Sequence, residues 1–149
     1  GFTIVALRAE LQAAGLLDDV MAPLDVWTGS FANGSYLLDS PFMDRPGFNS
    51  DLTRVLLHDR LAYVLALDTQ GDDRGTQAAH FGAFLRWVTK ALGLNTGQGN
   101  TFKPDGVCYA HQFHYGNAYG IYLLREAARA AYLLHRTPYA LPADLLGRL

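Results

Sequence analysis

The chain has 149 residues, about one domain's worth, of which 50% are hydrophobic and 17% charged. That balance excludes a disordered tail, and a formal net charge of −2 with no basic stripe excludes a general nucleic-acid binder. A polyanion can still occupy a locally basic groove, because net charge describes the whole surface and not one cleft. No apolar run is long enough to span a membrane, and no signal peptide is visible. The single cysteine, Cys108, reads as a small semi-buried hydrophobe rather than a nucleophile.

In chain order, Thr3 to Leu17 predicts a helix, with Val5, Leu7, Leu11 and Leu16 apolar between Arg8 and Glu10. Leu24 to Phe31 is a further helix candidate, and Trp27 within it reads as a core or groove-wall residue. Gly29, Gly34, Pro41, Pro46 and Gly47 then punctuate the chain, so Ala32 to Phe48 reads as a long irregular segment. Asn49-Ser50-Asp51 supplies N-cap chemistry for a helix that buries Leu52, Val55, Leu56, Leu61, Val64 and Leu65. Gln70 to Gly75 is a polar connector. Thr76 to Leu92 is a second amphipathic helix, with Phe81, Phe84, Leu85, Val88 and Leu92 on one face, and Gly93 stands where a left-handed cap residue is wanted.

Thr96 to Asn117 is a second irregular stretch, containing the turn signature Lys103-Pro104-Asp105-Gly106. Tyr119 to Arg136 follows as a strong helix, with Ile121, Leu124, Ala128 and Ala131 inward and Arg125, Glu126, Arg129 and Arg136 outward. Pro138 ends it, and Pro142 to Leu149 begins another helical turn. No strand run is evident. The expected fold class is therefore all-α, four or five helices joined by long loops. His58 and His80, inside predicted helices, read as structural.

The chemistry-bearing segment is Tyr109 to Tyr119, which holds two of five histidines and three of eight tyrosines. Tyrosine and histidine can both move protons in a positioned site, and aromatic faces can carry sugar rings. The bland reading makes Tyr115 and Tyr119 core residues at a helix end with wet hydroxyls. His111 and His114, three apart, could share a helical face and bind a metal, but no third ligand presents itself, and Gly106, Gly116 and Gly120 argue against a long helix there.

Thr101 to Leu141 resembles the active-site segment of polysaccharide lyase family eight, the chondroitin, hyaluronan and xanthan lyases. The resemblance is carried by Pro104-Asp105-Gly106, His111, Tyr119-Gly120 and His135-Arg136-Thr137-Pro138-Tyr139, in the order and near the spacing of that family. The form Lys103-Pro104-Asp105-Gly106 is most similar to the broad-specificity chondroitin ABC lyases. A second patch, Pro46-Gly47-Phe48-Asn49-Ser50-Asp51-Leu52, resembles the family's Thr-Gly-Ala-Asn-x-x-Asp-Leu element, one residue shorter between Asn49 and Asp51. Ala110 and His135-Arg136 depart from the family's Gln or Arg and Arg-Asp.

The resemblance implies a partial (α/α) toroid spanning residues 1–149 and incomplete at both ends, built from antiparallel helix pairs with the site on long loops. It implies β-elimination on an acidic, uronate-containing polysaccharide of the glycosaminoglycan class, with no cofactor and no metal. Tyr119 would be base and acid, Asn49 would bind the uronate carboxyl group, and His111 (or His114 in its place) would assist. His114, Tyr115 and Asn117 would bind sugar. An arginine and a glutamate that position the tyrosine would lie beyond Leu149, on the remainder of the same polypeptide, so the 149 residues alone are expected to be inactive or very weak. A secreted or periplasmic location follows from the same likeness. Two other readings compete: a carbohydrate-binding or structural helical module without chemistry, and a glycoside hydrolase. Hydrolases usually need two carboxylates, and the loop offers only Asp105, which reads as a turn residue.

Overall fold

The computed structural model describes residues 1–40, 49–67, 74–99, 101–111 and 113–149, with the side chain of Asn49 also outside this set. The expected irregular segment before Asn49 and the polar connector after Ala66 therefore lie partly outside the described residues.

Three helices open the chain: α1 (Phe2–Ala6), α2 (Arg8–Ala13) and α3 (Leu17–Trp27). The single helix expected over Thr3 to Leu17 is broken at Leu7, and the candidate over Leu24 to Phe31 is the end of α3, which tolerates Pro23 inside it. A two-stranded antiparallel hairpin follows, β1 (Phe31–Ala32) with β2 (Ser35–Tyr36), its turn made by Asn33 and Gly34 at positive φ. One short 3₁₀ turn, Leu37–Asp39, continues from it.

The long helices α4 (Asn49–Ala66) and α5 (Arg74–Ala91) form the core. In α4 the residues Thr53, Leu56, Leu57, Arg60, Leu61 and Val64 are buried, at the three-and-four spacing that puts them on one stripe. In α5 the matching stripe is His80, Phe81, Phe84, Trp87, Val88 and Ala91. Both helices match the expected spans closely, although Val55 is 41% exposed. Gly93 does not take the left-handed conformation expected of it.

A three-stranded antiparallel sheet, β3 (Thr101–Phe102), β4 (Cys108–Ala110) and β5 (Phe113–His114), then crosses the segment expected to be irregular. The expected all-α class therefore holds in part: the described residues are mostly helical, with small antiparallel sheets that were not expected. Strands of two or three residues are too short to leave a period-two pattern in a sequence. A π-helical turn, Gly116–Gly120, leads into α6 (Ile121–Leu134), and α7 (Ala143–Leu146) closes the chain.

Helix α6 packs on α4 by a face only partly the one expected: Leu124 and Ala131 are half-buried against the core. Leu123, Glu126, Ala127, Ala130 and Leu134 are buried, whereas Ile121 is 56% exposed and Ala128 is exposed. The helix carries Ala and Leu on several faces, so its hydrophobic pattern does not choose one. Glu126 goes inward because Arg125 Nε donates to its carboxylate at 2.7 Å and Arg129 Nη1 at 3.1 Å. Two cations at the rim offset the desolvation of one buried anion. Trp27 is likewise corrected, lying 61% exposed at the end of α3, while Trp87 is in the core.

Candidate active site

The site is assembled by a hairpin and the turn that follows it. Lys103 to Gly106 form the turn anticipated from the sequence: Gly106 N–H donates to Lys103 carbonyl at 2.9 Å with φ +82, and Asp105 accepts from Val107 N–H at 3.1 Å. Asp105 is thus a turn residue. Lys103 is buried, and its ammonium donates to the carbonyls of Gly97 (2.6 Å) and Gly99 while lying 4.7 Å from the centre of the Tyr109 ring. This lysine ties the 97–99 loop to the hairpin, and a cavity of about 270 Å³ opens beside it among Thr96, Gly97, Lys103, Pro104, Asp105 and Tyr109. Its sequence signal was only that of a turn residue.

Strand β4 brings the chain to His111, which sits at φ +52 where β4 gives way to β5. The left-handed region is uncommon for a residue with a Cβ, and such outliers gather at functional sites. After β5 the chain tightens into the π turn. Gly120 is required there, because a Cβ would come within 2.9 Å of Cys108 Cβ. This close approach presses the turn onto β4 and sets Tyr119 opposite His111. π turns of one coil are also frequent at functional sites, and no residue pattern announced this one.

His111 Nε2 lies 3.3 Å from the Tyr119 hydroxyl, within reach of a hydrogen bond, with the two rings nearly perpendicular at 81°. Tyr115 completes a triangle, its ring 5.1 Å from Tyr119 and 6.2 Å from His111. His111 and Tyr115 are exposed and Tyr119 is half-buried, so the cluster faces solvent. Of the remaining expected residues, His114 is exposed and lies over Gly116, where an added Cβ would meet its Nε2 at 2.7 Å; it is not part of the triangle. Asn117 is exposed on the π turn. Asn49 is the first residue of α4, and its side chain lies outside the described residues.

Sequence reasoning passed over two residues here. Arg54, on α4, places its guanidinium carbon 4.6 Å from the centre of the Tyr119 ring while paired with Asp51. Through this contact the N-terminal turns of α4, which begin at Asn49, are brought to the tyrosine. The Asp51–Arg54 spacing of three was visible on a predicted helix, but its aromatic partner was not. Phe113 is 68% exposed on β5, pairing with Ala110 next to His111.

Cys108 is buried, and burial pushes its thiol up against the opposing effect of the Lys103 charge, so it behaves as the small hydrophobe anticipated. Among the described residues, no three His, Cys, Asp or Glu side chains come together in a way that could hold a metal ion, and no helix is long and apolar enough to cross a membrane.

The site therefore holds a phenol and an imidazole in mutual contact, with a cation on the phenol ring. No curated protein matches the chain. A family model described as "Lyase, catalytic" matches residues 3–145, nearly the whole length. The chain belongs to this family, the catalytic domain of polysaccharide lyase family eight.

Proposed function

We propose that this chain carries the central part of the catalytic site of a lyase that cleaves uronate-containing acidic polysaccharides, of the chondroitin or hyaluronan class, by β-elimination. The observation that supports it most is the 3.3 Å approach of His111 Nε2 to the Tyr119 hydroxyl on a solvent-facing surface. The proton on C5, beside the uronate carboxyl group, is weakly acidic while that group keeps its charge. Donors at the carboxylate must take up charge as the enolate-like intermediate forms. Asn49 would fill that role, assisted by His111.

Tyr119, as phenolate, takes the C5 proton, the C–H electron pair passes into the carboxyl group as the enolate-like intermediate, and it then forms the C4=C5 double bond as the C4–O bond breaks. The proton then passes from the Tyr119 hydroxyl to the leaving oxygen, which returns the phenolate. Geometry favours His111 over His114 as the partner, since only His111 reaches the hydroxyl among the described contacts. His114, Tyr115 and Asn117 line the exposed approach and serve as sugar contacts. The reaction uses an acidic polysaccharide and no cofactor. The chain forms part of an (α/α) toroid completed by the remainder of the same polypeptide, which acts outside the cell or in the periplasm.

The test is to give the polypeptide with its flanking regions uronate polymers and follow ultraviolet absorbance of the unsaturated product. Rising absorbance supports elimination. Reducing ends without absorbance indicate hydrolysis, and binding without either indicates a carbohydrate-binding module.

A further inference from the structure

Tyr119 is placed awkwardly for a group that must aim its hydroxyl. Its neighbours along the chain are Ala118 and Gly120, which offer little to lean on, and its backbone belongs to a single π turn. Its ring must therefore be held from outside the turn. Two perpendicular rings, His111 and Tyr115, bound it, and the guanidinium of Arg54 lies 4.6 Å from its centre.

Arg54 is itself held. Asp51 Oδ1 accepts from Arg54 Nε at 2.7 Å and lies 2.6 Å from Nη2, so one carboxylate oxygen engages two of the three guanidinium nitrogens. That contact constrains the orientation of the guanidinium plane and not merely its position. Both residues stand in the first turns of α4, on a helix that also packs against β4 and the π turn. A planar cation pinned at one edge by a carboxylate presents a flat surface to a ring, and the ring quadrupole favours it there.

Resting on the lyase reading above, we propose that Arg54 is a positioning residue for Tyr119, oriented in turn by Asp51. Arg54 holds the plane of the phenol so that its hydroxyl stays within reach of His111 and of the sugar proton. It does not serve as a docking charge for the polymer, because Asp51 already offsets its charge. The arrangement acts through geometry more than energy: the Arg54 side chain is 31% exposed, where solvent weakens an ion pair. Misplacement of a catalytic group by about 1 Å can lower turnover by roughly a hundredfold, so a modest loss of orientation has a large effect on rate.

The inference predicts a split between kcat and KM. In the polypeptide with its flanking regions, Arg54→Gln should lower kcat by about tenfold or more, with KM changed by less than about twofold, because the lost contact serves the reacting group and not ground-state binding. Arg54→Lys, which keeps the charge without the plane, should recover only part of the rate. Asp51→Asn should fall between wild type and Arg54→Gln, and should add nothing in an Arg54→Gln background. In the same polypeptide, the ring signals of carbon-13-labelled Tyr119 should move in Arg54→Gln and in Asp51→Asn, with thermal stability and the amide signals of α5 unchanged. Unmoved Tyr119 ring signals, or a raised KM with kcat unchanged, would overturn the proposal. If wild type forms no unsaturated product, the lyase reading fails, while the ring signals still decide the contact between Arg54 and Tyr119.

Discussion

Helix α4 carries two arginines that each lie against aromatic rings, and they live in opposite surroundings. Arg54 is partly exposed, paired with Asp51, and lies on Tyr119. Arg60, six residues on, is wholly buried between Tyr36 at 3.7 Å and Trp87 at 4.5 Å, and among the described residues none of its three guanidinium nitrogens has a hydrogen-bond partner. Burial lowers the pKa of Arg60 to about 10, with Tyr36, Asp39 and Asp25 acting in the opposite direction. The same burial raises the phenol of Tyr63 to about 12 and pushes that of Tyr36 up strongly. One helix thus uses the same side chain for two purposes. On the outer side its proposed role is to orient Tyr119 in water; on the inner side its bulk and flat faces fill the core between two rings. An arginine on an aromatic ring does not by itself say which purpose it serves; accessibility and the second partner do.

The sharpest way to break the comparison is at the tyrosine. Tyr119→Phe should lower elimination by roughly a thousandfold, the usual scale for an acid–base group. Its melting temperature should hardly move, since nothing in the core is lost. Retained turnover would remove Tyr119 from the chemistry. The inner arginine should behave in the reverse manner. Arg60→Ala should cost about 3 kcal/mol in chemical denaturation through the cavity it leaves, whereas Arg60→Met, which restores the bulk without the charge, should lie within about 1 kcal/mol of wild type. Equal losses for the two variants would mean that the charge, not the volume, matters there.

A smaller effect belongs to Tyr36, whose hydroxyl donates to the carbonyl of His80 at 3.1 Å. Tyr36→Phe should cost about 1 kcal/mol, the ordinary net value of a buried hydrogen bond. The smallest is the pH response of His80. Burial holds its pKa below the usual 6.5, against the pull of Asp25. The unfolded imidazole therefore binds its proton first as pH falls below that value, and stability drops with acidification. His80→Gln should flatten the dependence of the denaturation midpoint between about pH 7 and 5. Asp39 acts with the opposite sign in a lower window: burial raises its pKa, so its contribution is lost as pH rises past the usual carboxylate value of 3.8.

The helices that form the core could be read from the sequence because each repeats large apolar residues on one stripe, as Phe81, Phe84 and Val88 do. The Lys103-Pro104-Asp105-Gly106 turn was legible for a different reason, since proline and glycine restrict the backbone locally. Helix α6 was placed but its inner face was read only in part, because Ile121 and Ala128 are as apolar as the residues that face inward. Only the pairing of Glu126 with two arginines separates the faces, and that depends on where the helix docks. In the site, His111 and Tyr119 were named from the resemblance of their segment to polysaccharide lyase family eight. The π turn that joins them was not, because it depends on Gly120 meeting Cys108, a contact twelve residues apart along the chain. Arg54 escaped notice because an arginine on a helix reads as solvated until a ring is found beneath it.

The left-handed backbone at His111 places two demands on one position. The hairpin corner suits a residue such as glycine or asparagine, while the proposed reaction needs an imidazole. A library of all substitutions at this position, sorted once for soluble yield and once for turnover, should therefore rank the amino acids differently. Asparagine and glycine would rise in the first sort and histidine alone in the second. Selection for abundance would then drift this corner away from catalysis, and the persistence of histidine in a natural population would itself be a record of use.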